Sequence, residues 1–191
     1  MIPFPKKKYN IIYADPAWHF SNWSGKGTVK APLNHYQTMK LQDICNLPVK
    51  EITDKDCILF IWTCDPLLHK VFQVIDSWGF TYKTMGFVWV KTTKENKPKM
   101  GLGYWTRGST EYCILATKGK PKRICKSVSK TIIERPREHS RKPDCVRDRI
   151  VELCGDLPRI ELFARQKVDG WDCWGNVVLT TNKDSNHIIK N

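Results

Sequence analysis

A candidate catalytic loop directly follows the first apolar run of the chain, within residues 11–20, which read IIYADPAWHF. Asp15 and Trp18 bring a carboxylate and a flat indole to one loop. An exocyclic amino group on a nucleobase attacks a methyl group only after it pyramidalises, and acceptors against both of its hydrogens favour that change. Asp15 and the backbone carbonyl of Pro16 can supply the two acceptors, and Trp18 can stack on a base flipped out of a duplex. The alternative is an ordinary Asp-Pro turn.

A second set of candidate residues is basic and aromatic, and it falls in two polar stretches, residues 92–109 and 118–142, that lack the pattern of a packed element. Arginine and lysine bind phosphates, and aromatic rings stack on unpaired bases. The sequence therefore predicts that these stretches bind nucleic acid through Tyr104, Trp105, Arg107, Lys122, Arg123, Arg135 and Arg137. The alternative for the second stretch is a solvated loop.

The overall composition agrees with a polyanionic partner. Lys and Arg number 32 against 19 acidic residues, which gives a formal net charge of +13. Such an excess is typical of proteins that bind nucleic acid. The 191 residues, of which 41% are hydrophobic, fit one domain, with a core over about residues 9–178 and a polar tail over 179–191.

Several classes of protein are disfavoured by the same sequence. No apolar stretch approaches the ~20 residues of a membrane span, and the amino terminus lacks a secretory signal. The 8 cysteines have no Cys-x-x-Cys spacing and the 5 histidines no ligand spacing, so we expect no metal site. We therefore expect a cytoplasmic protein without a membrane partner.

The elements that position these residues follow from the apolar pattern. Five short runs rich in β-branched and aromatic residues predict strands over residues 9–14, 57–63, 87–91, 111–117 and 159–164. Three- and four-residue spacing predicts a helix over 65–79, capped by Asp65 and ended by Gly79, and further helices over 38–47, capped by Thr38, and 142–155. This alternation predicts an α/β fold with a mostly parallel sheet covered by helices on both faces. Ligands of such sheets bind at the carboxyl ends of the strands, where Asp15 stands.

A series of motifs also resembles a known family. ADPAW, NHYQTM, LFIWT, GLGYWTRGSTEYCILATKG, HSRKPD, RIELFAR and GWDCWGN follow one another between about residues 9 and 178. They resemble the N(6)-adenine methyltransferases related to the catalytic subunit of the eukaryotic messenger-RNA adenine methyltransferase, and most of all the compact bacterial and phage members. The resemblance implies a Rossmann-like fold that binds S-adenosylmethionine and methylates the amino nitrogen of adenine.

The substrate and the catalytic state are expectations by analogy. Similarity to microbial members favours DNA as the substrate, with RNA as the nearest alternative. An alternative from another class is a catalytically inactive, nucleic-acid-binding subunit of a methyltransferase complex. The oligomeric state is left open between a monomer and a homodimer.

The resemblance also implies roles for single residues. The family tetrad Asp-Pro-Pro-aromatic carries over onto Asp15, Pro16 and Trp18, with Ala17 in place of the second proline. Because a proline at position 17 would restrict the residue before it, we expect an active enzyme with a looser loop.

The remaining motifs imply a cofactor site and a closing loop. The cofactor site is expected to contain Asp15, Lys142, Glu161, Arg165, Lys167 and Asn176. Arg165 and Asn176 are expected at the cofactor ribose and Lys167 at its carboxylate. His35 and Tyr36 match a loop that closes near the cofactor and the target base.

Overall fold

The structure, a computed structural model, describes residues 3–19, 38–103, 105–138 and 140–175. Four of the candidate site residues, together with the polar tail over 179–191, lie outside the described residues: His35, Tyr36, Tyr104 and Asn176. Their roles stay predictions.

The described part of the chain contains seven strands and four α-helices. The strands are β1 (Tyr9–Ala14), β2 (Thr53–Thr63), β3 (Thr81–Lys91), β4 (Thr110–Lys118), β5 (Thr131–Glu134), β6 (Arg159–Leu162) and β7 (Asp172–Trp174). The helices are α1 (Leu41–Cys45), α2 (Val49–Ile52), α3 (Leu68–Ser77) and α4 (Cys145–Cys154).

All seven strands form one sheet in the order β5-β3-β4-β2-β1-β6-β7. Neighbouring strands pair in parallel except at β4, which runs antiparallel to both β2 and β3. This confirms the predicted α/β fold with a mostly parallel sheet. The carboxyl ends of six strands therefore meet at one edge, here called the carboxyl edge, and β4 begins at that same edge.

Helices cover both faces of the sheet, as predicted. On β1, Ile12 packs in the cluster that contains the apolar residues of α1, α2 and α3, whereas Ile11 and Tyr13 pack with Val146 and Ile150 of α4. Successive strand residues point to opposite faces, so one strand contributes to both cores. Burial of each large apolar side chain stabilises the fold by about 1.5–3 kcal/mol.

The predicted helix over 65–79 is confirmed over most of its length but begins differently. Asp65–Leu67 form a 3-10 turn, and Leu67 occupies the cap position of α3. The predicted cap at Asp65 is therefore wrong, because Pro66 lies inside a tight turn that precedes the α-helix. The end is confirmed: Gly79 follows the helix at φ +79°, a left-handed conformation that favours glycine.

The predicted helix over 38–47 is split into α1 and α2. Lys40 is the residue at the amino-terminal cap of α1, so the predicted cap at Thr38 is wrong. The Thr38 hydroxyl lies 3.0 Å from Nδ1 of His19 instead, because Met39 forms a β-bridge with Trp18 and draws this segment to the loop after β1. Pro48, which lacks an amide hydrogen, separates the two helices. The third predicted helix is confirmed as α4.

Two strands have no counterpart in the sequence prediction. β5 interrupts the basic stretch 118–142, and its pairing with β3 shows that the prediction of one unpacked stretch there is wrong. β7 spans only three residues beside β6. Such short segments carry too few residues for a period-2 pattern, so only pairing with a neighbour defines them.

Candidate active site

Asp15 follows β1 at the carboxyl edge and is held there by a buried lysine. Nζ of Lys142 donates to Oδ2 of Asp15 at 2.8 Å and to the Ser140 carbonyl at 3.3 Å, and it lies 3.2 Å from Oε2 of Glu111. The Lys142 side chain is only 10% exposed and that of Asp15 19%. One ammonium therefore links two carboxylates that lie far apart in the sequence.

A second lysine completes a row of alternating charges. Lys91, the last residue of β3, bonds to the other oxygen of Glu111, the second residue of β4. The row of Asp15, Lys142, Glu111 and Lys91 is here called the charge network. Sequence reasoning missed Glu111 and Lys91, for which the only signal was a charged residue at one end of each apolar run.

Burial and the attraction between opposite charges shift the pKa values of the network in opposite directions. Burial alone lowers the pKa of the Lys142 ammonium, but Asp15 and Glu111 outweigh it and raise that pKa above its ordinary value. For the Glu111 carboxylate the signs are reversed: burial alone raises its pKa, but the neighbouring Lys142 and Lys91 outweigh burial and lower that pKa overall. Both groups are therefore charged at neutral pH, and Lys142 acts as a hydrogen-bond donor and not as a general base.

A cavity of about 210 Å³ opens beside Asp15, and it brings together four of the six residues predicted to bind the cofactor. Asp15, Lys142, Glu161 and Arg165 all line it. Glu161 is held by two hydrogen bonds from the Arg147 guanidinium, at 2.7 and 2.9 Å. Burial raises the pKa of Glu161, and the Arg147 guanidinium opposes that rise.

Lys167 lies apart from these four residues. It lines a larger, more open depression of about 560 Å³ beside β7, together with Lys7 and Trp171. That depression contains no residue of the charge network, so the larger of the two cavities is not the candidate site. The buried ion pairs of the smaller cavity locate it instead.

Hydrogen bonds hold the loop that contains the tetrad. The Pro16 carbonyl accepts the Trp18 amide at 2.8 Å, and the Ala17 carbonyl accepts the Met39 amide at 2.8 Å. A carbonyl has two lone pairs, so Pro16 keeps a second acceptor position. The Trp18 indole is 9% exposed and donates to the Trp62 carbonyl at 3.0 Å. Its predicted stacking on a target base stays a prediction, because little of the ring is open.

The predicted nucleic-acid residues divide between two edges of the sheet. Trp105 and Arg107 lie in the segment that joins β3 to β4 at the carboxyl edge, and Arg135 and Arg137 follow β5 at the same edge. Arg135 and Arg137 are both exposed, and Arg137 also pairs with Asp144 at 2.7 Å.

Lys122 and Arg123 lie at the opposite edge. They follow β4, which runs antiparallel to its neighbours, and the next amide, that of Ile124, donates to the Leu153 carbonyl near the end of α4 at 2.8 Å. The structure therefore separates Lys122 and Arg123 from Asp15, because one antiparallel strand carries the chain away from the site.

No group of three or more His, Cys, Asp or Glu side chains in the described ranges is arranged to hold a metal ion. No helix in the part of the chain that the structure describes is long and apolar enough to cross a membrane.

Comparison with known proteins places the whole sheet within one family. The MT-A70 family model matches residues 9–177. The chain is 37% identical over 188 residues to the type II methyltransferase M.MunI of a Mycoplasma species, an alignment that covers 90% of this chain and 78% of that relative. It is 26% identical to the N6-methyladenosine RNA methyltransferase MTA1 of Pyricularia oryzae, covering 95% of this chain and 50% of the relative. It is 27% identical to the mouse N(6)-adenine-specific methyltransferase METTL4, an alignment that covers 91% of this chain and 38% of that relative. The chain belongs to the MT-A70 family of methyltransferases.

Proposed function

We propose that this chain transfers the methyl group of S-adenosylmethionine to the exocyclic amino nitrogen of adenine in DNA. One observation carries the proposal: the Asp15 carboxylate is fixed by a buried lysine beside a cavity that Glu161 and Arg165 also line. The 37% identity to a type II methyltransferase favours DNA as the substrate. We further propose one methyltransferase domain over the chain, acting in the cytoplasm of a bacterial or phage-infected cell.

The residues around the cavity fit the chemistry of this cofactor. Its amino-acid end carries a carboxylate and an ammonium, which pair with cations and anions respectively, and its ribose hydroxyls donate to carboxylates. The cavity offers Arg165 as a cation and Glu161 as a carboxylate, while Lys142 and Asp15, which also line it, pair with each other. When bound, the cofactor supplies an electrophilic methyl group on a positively charged sulfur.

The protein supplies alignment and hydrogen-bond acceptors. Because Lys142 bonds to Oδ2 of Asp15, Oδ1 is the oxygen for one amino hydrogen of the adenine, and the Pro16 carbonyl can accept the other. After transfer, the methylated nitrogen carries one proton too many, and Asp15 is the acceptor beside it. Lys142 does not accept this proton, because its raised pKa keeps the ammonium protonated.

The exposed residues at the carboxyl edge would bind the DNA backbone. Arg107 and Arg135 lie on segments that flank the charge network, and both are exposed. Guanidinium groups there can neutralise phosphates on either side of the flipped base. Lys122 and Arg123, at the opposite edge, are not part of this proposal.

Methyl transfer from labelled S-adenosylmethionine to unmethylated DNA and to RNA of the same sequence tests the proposal. We expect N(6)-methyladenine in the DNA, and we expect Asp15→Ala to lower the rate by about 100-fold or more, because the variant lacks one of the two acceptors. Lys122→Ala is the matched control and should retain the parent rate. Equal rates for the parent and Asp15→Ala would contradict the mechanism.

RNA is the second candidate substrate, since one relative in the family is an RNA methyltransferase. Faster transfer to RNA than to DNA in the same assay would favour it. The inactive-subunit alternative predicts no binding of S-adenosylmethionine in a titration. The intact Asp15–Lys142 pair argues against that alternative.

A further inference from the structure

We infer that the segment joining β3 to β4 is a wedge that enters duplex DNA beside the target adenine and fills the space which the flipped base leaves. Its second half, residues 99–103 and 105–109 in the described structure, contains the wedge and is here called the finger. The inference rests on the proposed function, and it specifies double-stranded DNA as the substrate.

The base of the finger is attached to the candidate site. The Lys99 amide donates to the Lys91 carbonyl at 2.7 Å, and the Lys91 amide donates to the Ser109 carbonyl at 2.7 Å. Lys91 belongs to the charge network, and Glu111 follows the finger by two residues. A base held against Asp15 would therefore lie next to the finger and not across the molecule from it.

The backbone of the finger is closely packed. The Gly101 amide donates to the Gly108 carbonyl at 3.0 Å. A Cβ atom at Gly101 would overlap with the Gly108 carbonyl oxygen, and one at Gly103 would overlap with the Thr106 carbonyl oxygen. Only glycine permits this close approach. A second backbone hydrogen bond, from the Gly108 amide to the Leu102 carbonyl at 3.4 Å, also joins the two halves of the finger.

The finger exposes large apolar side chains to solvent along its length. Trp105 is 100% exposed, Met100 81% and Leu102 65%. Three large apolar side chains exposed within six residues form a candidate binding surface. Apolar side chains inserted between base steps are the wedges that other proteins use to unstack and kink a duplex.

The charges around these side chains select nucleic acid as the partner. Four exposed cations lie on the segment 92–109 against one carboxylate, that of Glu95: Lys94, Lys97, Lys99 and Arg107. Lys99 and Arg107 belong to the finger itself and Lys94 and Lys97 precede it, so the segment has the positive charge that phosphates attract. An apolar protein surface would leave the same four charges without partners.

The burial of Trp18 argues that the finger is needed. Removing a base from a duplex costs a few kcal/mol of stacking and pairing, which the enzyme must offset. Trp18 is 9% exposed, so its ring provides little surface for that purpose. Trp105 and Leu102 have the exposed area, and a single-stranded substrate would not need them.

The test compares duplex and single-stranded substrates. The target adenine is first located by mapping N(6)-methyladenine in plasmid DNA treated with the parent protein, and a short duplex around that adenine is then prepared. The variant carries Leu102→Ala and Trp105→Ala together. We expect its kcat/KM to fall by about 10- to 100-fold on the matched duplex but to stay within about threefold on the target strand alone. An abasic site opposite the target adenine should restore the activity of the double variant on the duplex, because an unpaired adenine flips out at a lower cost.

A second measurement needs no methyl transfer. With 2-aminopurine in place of the target adenine, the parent should increase its fluorescence on binding the duplex, and the double variant should not. Ile124→Ala is the matched control, since Ile124 is 70% exposed at the opposite edge of the sheet. It should behave as the parent, and the thermal unfolding midpoint should be the same for all three proteins.

Two outcomes would overturn the wedge while leaving the proposed function intact: an equal loss of activity on duplex and single strand, or no loss on the duplex. A parent that methylates single-stranded DNA but not duplex DNA would also overturn it. A parent that methylates neither form would contradict the proposed function itself.

Discussion

Lys142 is the residue on which the candidate site depends, because its single buried ammonium bonds to one carboxylate and lies in ion-pair range of a second. Removing one partner of such a buried pair leaves an uncompensated charge and costs about 3–5 kcal/mol. The exposed pair of Lys7 and Asp172 has the same 2.8 Å separation but contributes only about 0–1 kcal/mol, because water screens it.

Glu111→Gln should therefore destabilise the protein by about 3 kcal/mol at neutral pH, since it removes the charge between Lys142 and Lys91. The pKa of Glu111 is lower in the folded protein than its ordinary value of 4.5. Its stabilising contribution is thus complete above that ordinary value and is lost as the pH falls through the lower pKa of the folded state. Urea unfolding of parent and variant across this pH range should show the gap closing at acid pH.

Lys7→Gln is the control for this experiment and should cost about 1 kcal/mol or less, because the ion pair that it removes is exposed. A difference between parent and Glu111→Gln that stays constant from neutral to acid pH would show that the carboxylate charge is not what stabilises the network.

At the scale of elements, the direction of β4 decides which loops meet. Its antiparallel course brings Glu111, at its start, to the carboxyl edge and carries Lys122, after its end, to the other edge. β5 then returns the chain, so that Arg135 lies at the carboxyl edge again. The basic stretch 118–142 is therefore divided between two edges of the sheet.

This division predicts different effects of removing similar charges. Arg135→Ala should weaken DNA binding, because one phosphate contact is lost. For the same reason, the slope of the logarithm of the DNA-binding constant against the logarithm of the salt concentration should become shallower by about 1. Lys122→Ala should leave both quantities unchanged, although it removes a charge from the same stretch of sequence. Titrations of labelled DNA at several salt concentrations measure both. Equal changes in the two variants would contradict the placement of DNA at the carboxyl edge.

For the molecule as a whole, a ligand that binds only the folded state raises the free energy of unfolding. The cavity beside Asp15 is lined by residues in or next to β1, β6 and α4, so a cofactor bound there would link several elements. Ligand at about 100 times its Kd adds about 2.7 kcal/mol to the free energy of unfolding.

S-adenosylmethionine at that concentration should therefore raise the thermal unfolding midpoint by about 5–10 °C in a domain of this size. Arg165→Ala should reduce the shift at the same ligand concentration, because one cation is removed from the cavity. Lys122→Ala should show the full shift. Differential scanning calorimetry measures all three, and an undiminished shift in Arg165→Ala would place the cofactor elsewhere.

Much of the fold was predictable because its signals are local. The apolar runs of β1 and β2 and the three- and four-residue spacing in α3 were correctly assigned, since burial of such patterns depends on neighbouring residues in the sequence. The caps proposed at Asp65 and Thr38 were wrong, because a tight turn and a pairing with the loop after β1 overrode the local preference. β5 was missed because four residues acquire a strand conformation only by pairing with β3.

The α/β class, the placement of Asp15 after a buried strand and the motifs that assign the chain to its family can all be read from local patterns of residues. The folded arrangement alone brings Lys142, Glu111 and Lys91 into one network with Asp15 and places Lys122 away from it. The reason is physical: hydrophobic periodicity marks which residues are buried, but the order and direction of strands depend on pairings between distant segments. Those pairings decide which strand ends, and therefore which charges, meet at one edge.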